Sequence, residues 1–238
     1  MKKILSLGLL MLLSASCLFG QSKVLDDNSG LFIYLKGSNT KITEDDYLIY
    51  AKGFERDTYN KYKNDEFEWH DKFQILKQNL DKKIADADLT SSYTVVTGVD
   101  FGDYDFTNEG FPVTIGEGTF FPLGYNDSYY EAKRGSVFNS QTALKLDGFH
   151  KYNFIKLPKD EAKTFLQSRK DRYGNVDRSL TLQITYKIAS YDSKEYKDFA
   201  NLALSNNYIP VVGIIENIDV YDANDSRNVK KLGTLIKK

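Results

Sequence analysis

Cysteine is almost missing from this 238-residue chain: Cys17 stands alone. One cysteine excludes a disulfide framework and a cysteine-built zinc site. Histidine is nearly as scarce. His70 and His150 are the only two, so a three-histidine metal centre is excluded. His70 follows Trp69 off the apolar stripe of its helix, where a solvated ring is expected. The chain also lacks a basic excess, with 32 Lys and Arg against 33 Asp and Glu, which argues against a nucleic-acid footprint. Beyond residue 20 no uncharged run approaches the roughly 20 apolar residues that cross a bilayer core. Only four prolines occur, with no biased tract and no repeat of fixed period, so no linker or solenoid is expected. Catalytic signatures are missing as well. There is no G-x-S-x-G turn, and Asp100-Phe101-Gly102 has no glycine-rich loop, V-A-I-K lysine or H-R-D loop to complete a kinase set.

What is present begins at the N-terminus. Lys2 and Lys3 precede an uncharged apolar run, ILSLGLLMLL, which ends in Ser14-Ala15-Ser16-Cys17. A charged start, a short apolar core and a small-residue exit are the pattern of an export signal. The ending resembles a bacterial lipoprotein signal, in which the cysteine is acylated and becomes the mature N-terminus. It departs from that pattern in one place: the usual Leu three before the Cys is Ser14, with Leu13 one place earlier. Two processing outcomes follow. Cleavage before Cys17 makes Cys17 the lipid attachment site; cleavage between Gly20 and Gln21 removes it. Residues 1–20 are therefore read as a signal peptide and 21–238 as a single domain. Removing residues 1–16 from the 238 leaves 222, and takes two of the 32 basic residues and none of the 33 acidic, for a net charge near −3.

Apolar residues make up 41% of the chain and aromatics 14%, enough for a packed core. Seventeen tyrosines and fifteen phenylalanines against two methionines point to a β-rich domain. Residues 31–36 read as a short strand. Thr43 with Asp46 forms a capping box for a helix whose Tyr47, Tyr50, Ala51 and Phe54 share one face. Trp69, Phe73, Leu76, Leu80 and Ile84 recur at three- and four-residue spacing and mark a second helix. Thr94-Val95-Val96-Thr97 is strand-like. Residues 138–146 and 149–155 read as two strands of a hairpin split by Asp147-Gly148. Residues 158–170 read as a helix with Ala162, Phe165, Leu166 and Arg169 on one face.

The clearest strand alternates Leu180, Leu182, Ile184, Tyr186 and Ile188 with Thr181, Gln183, Thr185 and Lys187, which gives one buried and one polar face. Asp192 with Glu195 is the expected cap of a helix carrying Tyr196, Phe199, Ala200 and Ala203. Residues 209–220 read as a central strand, Asn224-Asp225-Ser226 as a turn and 229–236 as the last strand. The class is α+β: N-terminal helices followed by a mostly antiparallel sheet with two interspersed helices.

One acidic cluster lies among aromatics: Asp100, Asp103, Asp105 and Glu109 beside Phe101, Tyr104, Phe106 and Phe111. It is the calcium candidate of the chain. The EF-hand register fails, because Asn108 falls where glycine is needed and Thr114 where the bidentate glutamate belongs. The same acids admit a secreted hydrolase, such as a glycosidase with paired carboxylates. Alternation of rings and acids in an extended segment predicts rings inward and acids in water, which is a surface loop and not a catalytic cleft. No residue is read as catalytic and no cofactor is called for.

Pro158-x-x-x-Ala162-x-x-Phe165, the strand 178–188 and Ile218-Asp219-Val220-Tyr221-Asp222, together with the N-terminal signal, resemble the small exported envelope and lipoprotein domains of unknown function found in bacteria. That resemblance carries over no active site. It implies an exported protein of the periplasm or outer envelope that binds an envelope protein or a ligand. Membrane contact comes only through the lipid.

Overall fold

In the computed structural model, residues 23–123, Phe138, 140–223 and 229–238 are described. Cys17 with the signal segment, and the turn expected at 224–226, lie outside them.

The helices come first. β1 is the two-residue strand Lys23–Val24, and it leads into α1, Asp27–Gly37. The segment 31–36 is thus helical and not the expected strand. Asp26 caps the helix by accepting from the Ser29 N–H at 2.7 Å, and Leu31, Ile33, Tyr34 and Leu35 are all buried. An apolar run that is buried on nearly every side shows no period, so spacing cannot separate helix from strand there. α1 rests directly on the sheet. Asp27 accepts from the Thr142 N–H at 2.6 Å, the Thr142 hydroxyl donates to the Asp27 carbonyl at 3.0 Å, and a Cβ on Gly30 would sit 2.6 Å from Thr142 Cγ2.

α2 (Glu44–Phe54) opens on the expected Thr43/Asp46 capping box. α3 (Arg56–Tyr62) buries no residue, and α4 (Glu66–Asp86) buries Leu76 and Leu80, the inner positions of its stripe. Leu31, Tyr50, Leu80 and Ile209 meet in one apolar cluster together with Phe138. Phe138, expected in a strand, instead packs edge-on against Tyr50 at 5.8 Å, and the strand starts later.

The strands are β2 (Ser92–Asp100), β3 (Gly110–Pro112), β4 (Phe121–Pro122), β5 (Gln141–Leu146), β6 (Tyr152–Lys156), β7 (Ser179–Ile188), β8 (Tyr208–Asp222) and β9 (Lys230–Lys237). Two helices interrupt them: α5 (Lys159–Ser168) and α6 (Lys194–Ser205). The sheet runs β1-β2-β7-β8-β9-β6-β3. β8 is its axis. The first half of β8 pairs in parallel with β5, the second half pairs antiparallel with β9, and β7 lies along the opposite side.

β7 buries Leu180, Leu182, Ile184 and Tyr186 and leaves Thr181, Gln183 and Thr185 on the other face, as its alternation requires. Asp147-Gly148 does turn the chain, with Gly148 at φ +62°, but no hairpin forms. A short 3-10 turn, Phe149–Lys151, follows; β5 stays with β8 while β6 joins β9 and β3. A turn dipeptide sets local direction and cannot choose a strand partner. The cap of α6 is Ser193, whose hydroxyl accepts from the Tyr196 N–H at 3.1 Å, and not Asp192. The buried stripe of Tyr196, Phe199, Ala200 and Ala203 sets where that helix must begin.

Candidate functional site

The acidic aromatic segment starts where β2 ends. Phe101 is buried and bridges to Val113, packing its ring against Phe111 at 4.8 Å. Asp105 then closes a tight turn. Its carboxylate accepts from the N–H groups of Thr107 (2.9 Å) and Asn108 (3.0 Å) and from the Asn108 side-chain amide (2.7 Å), as Asx turns do. Gly110 and Asp105 exchange backbone hydrogen bonds across the turn, and Glu109 sits at φ +51°. Gly110 pairs with Lys156 of β6, and a Cβ there would lie 2.1 Å from the Ile155 carbonyl. Only glycine fits that approach.

The four acids do not converge. Asp103 is exposed and pairs with Arg178 at 2.5 Å. Asp105 pairs with Lys238 at 2.7 Å, and that contact, followed by the Asn108 amide, holds its carboxyl well below the usual carboxylate range. Asp100 stands opposite Ser179 at the end of β2, and Glu109 faces the groove described below. Among the described residues no group of three or more His, Cys, Asp and Glu comes together in a way that could hold a metal ion. His70 is exposed on α4 and His150 lies in the 3-10 turn.

The rings follow the expected alternation only in part. Tyr104 turns inward, its ring 5.2 Å from Phe111 and its hydroxyl donating to the Leu157 carbonyl at 3.0 Å. Phe106 does not; it is 73% exposed, held edge-on by Tyr104 at 5.0 Å. The turn at Asp105 breaks the extended geometry on which alternation depends, and so the next ring is sent outward.

Beside Phe106 the surface falls into a groove of about 430 Å³. The turn residues Thr107, Asn108 and Glu109 form one wall, Phe154 and Lys156 the floor, and the end of β9 the other wall. The Lys238 ammonium lies 4.5 Å from the Phe154 ring centroid and Lys237 lies 4.6 Å from that of Tyr152. Aromatic faces thus steady both cations at the rim. The arrangement offers a free ring for stacking, amide and hydroxyl groups for hydrogen bonds, and lysines for an anionic group.

The sequence model of a domain of unknown function, DUF4852, matches residues 43–168. The chain belongs to the DUF4852 family. No curated protein and no solved structure matches it. The DUF4852 segment opens on the capping Thr43 and closes at the end of α5, so it supplies Phe106, the turn, Phe154 and Lys156. The wall carrying Lys237 and Lys238 comes from outside it, as do the central strands β7 and β8. Sequence reading found the segment 100–109, Asn108 included, but missed Phe154, Lys156, Lys237 and Lys238. Paired lysines at the end of a strand were the available signal, yet they lie some eighty positions from β6, and only strand pairing joins them. Among the described residues no helix is long and apolar enough to cross a membrane.

Proposed function

We propose that this DUF4852 protein is an exported envelope protein, anchored by lipid on Cys17, whose folded domain is a non-enzymatic binding module. The observation that carries the reading is the Phe106 ring. It stands exposed but held by Tyr104, over a groove edged by Lys156 and Lys237, with Lys238 paired to Asp105. A ligand with a flat or apolar face and an acidic group suits that arrangement, because the ring offers stacking area and the lysines offer charge. The state of the acids supports binding over hydrolysis. A general acid needs a raised pKa, whereas Asp105 is held ionised by Lys238, and Asp103 is occupied by Arg178.

Binding is tested by titrating the protein with acidic glycans and acidic peptides. A ligand of this groove should lose about tenfold or more in affinity on Phe106→Ala and on Lys156→Glu, with unfolding of the free protein unchanged. Hydrolysis of a glycan that Asp103→Asn or Asp105→Asn abolishes in a folded protein would replace this reading by the hydrolase. Anchoring is tested separately by intact mass of protein taken from membranes. An acyl-glyceryl addition that Cys17→Ser removes supports it, and an unmodified chain beginning at Gln21 refutes it.

A further inference from the structure

The strands beside Phe106 leave no backbone for a peptide to pair with. β6 is bonded to β9 on one side and to β3 on the other. The outer side of β3 is taken as well, because Val113 bridges to Phe101 and the Gly102 N–H donates to the Pro112 carbonyl at 2.8 Å. Strand addition by an extended peptide needs an open edge, which β3 and β6 lack here. Nor does the groove close around an anchoring side chain. Phe106 is 73% exposed, an open platform and not a pocket. Polar groups surround it. Among the described residues the Thr107 hydroxyl and the Glu109 carboxylate hold no hydrogen bond and Lys156 holds no ion pair, and all three line the groove. The Asn108 amide nitrogen is engaged by Asp105, which leaves the amide oxygen as an acceptor.

A ligand that covers these groups without bonding to them strips their hydration and returns nothing, so the ligand must itself be rich in hydroxyls. It must also carry a negative charge for the lysines and an apolar face for the ring. A groove of about 430 Å³ takes a small ligand or one stretch of a polymer. We propose that the Phe106 groove binds a uronic-acid unit of a glycan, with the apolar face of the pyranose on Phe106, hydroxyls donating to Glu109 and the Asn108 oxygen, and the carboxylate at Lys156 and Lys237. The assignment rests on the binding reading of this groove and names its ligand class. The platform is fixed before the sugar arrives. Tyr104 packs edge-on against Phe106 at 5.0 Å, and the Asp105 carboxylate holds the Thr107 and Asn108 N–H groups, so binding orders little. Glu109 gives direction. It repels a carboxylate, which turns the acid edge of the sugar to the lysines and the hydroxyl edge to the turn.

Calorimetric titration with matched probes tests the sugar. Oligogalacturonate and hyaluronan fragments carry both ring and charge, methyl-esterified oligogalacturonate carries the ring alone, and oligoglutamate carries the charge alone. At least one of the two uronate probes should bind about tenfold or more tighter than the ester and than oligoglutamate. Lys156→Gln should bring the acid down to the ester and leave the ester unchanged, since the ester has no charge to lose. Phe106→Ala should weaken acid and ester alike, by about tenfold. Melting temperature checks that each variant is folded. Equal binding of acid and ester, or uronate binding that Phe106→Ala leaves untouched, would overturn the proposal. So would failure of both uronate probes to bind. Oligoglutamate that binds as tightly as the uronates and is weakened by both substitutions would overturn the sugar while leaving the groove a binding site for acidic peptides. The broader binding reading falls only when neither kind of acidic probe depends on Phe106 and Lys156.

Discussion

Replacing Arg169 by methionine removes the planar fork that fastens the end of the DUF4852 segment to the centre of the sheet and keeps a side chain of similar reach. The Arg169 side chain is 1% exposed. Its Nη1 donates to Asp222 Oδ1 at 2.5 Å, its Nε to the Asp177 carbonyl at 2.7 Å, and its Nη2 to both the carbonyl and the hydroxyl of Ser179. The guanidinium also lies over the Phe165 ring, 5.1 Å from its centroid. Each hydrogen bond to a charged group is worth about 1.5–3 kcal/mol, and breaking a fully buried pair costs about 3–5 kcal/mol. The acceptors here reach solvent, with the Asp222 and Asp177 side chains 21% and 42% exposed, so water recovers part of the loss. The net cost of Arg169→Met is therefore set at about 3 kcal/mol, which corresponds to a fall of roughly 6–12 °C in melting temperature for a domain of this size. Arg169→Lys keeps the charge but not the fork, and should cost about half as much. Urea unfolding followed by circular dichroism measures both. A loss under about 0.5 kcal/mol for methionine, or equal losses for lysine and methionine, would refute the argument that fork geometry holds this junction.

The two faces of β7 give a second test: Leu182 is fully buried, and Leu182→Ala should cost about 2–5 kcal/mol. Gln183 holds a buried Oε1 with no hydrogen-bond partner among the described residues, so Gln183→Thr should be neutral or stabilise by up to about 1 kcal/mol, and equal losses at the two positions would refute the assigned faces. Residues 43–168 expressed alone should show no cooperative urea transition, because β2 and β5 lose their partners β7 and β8; a sharp transition would show that the family segment folds by itself. Acid should weaken the fold. Asp88 is held low by Lys23 and then Ser91, Asp177 by the Ser179 N–H and then its hydroxyl, and Glu216 by Lys187 and then Ser92. A folded pKa below the unfolded value gives stability that is present above the unfolded pKa and lost as pH falls through the folded one. The urea midpoint should thus hold from about pH 7 to 5 and fall below about pH 4, and a decline confined to the higher interval would contradict the assignment.

Where a pattern is completed within one element, the sequence alone determined it. The stripe of α4, the alternation of β7, the Thr43/Asp46 cap and the α+β class all follow from contacts a few residues apart, or from one face needing cover. Tertiary structure decided the rest. The apolar run in α1 is compatible with strand or helix, and its place between the sheet and the other helices makes it a helix. Asp147-Gly148 turns the chain, yet β8 takes β5 and β9 takes β6, because closing the sheet fixes partners that a dipeptide cannot. Phe106 faces outward because Asp105 closes a turn upon Asn108, while Lys156 and Lys237 share a groove only because β6 and β9 pair. Arg169 looked like one more residue on a helix face, and its acceptors come from β7, β8 and the loop before them. Periodicity reports which side of an element is buried; what covers that side depends on contacts between distant parts of the chain, and these leave no local mark.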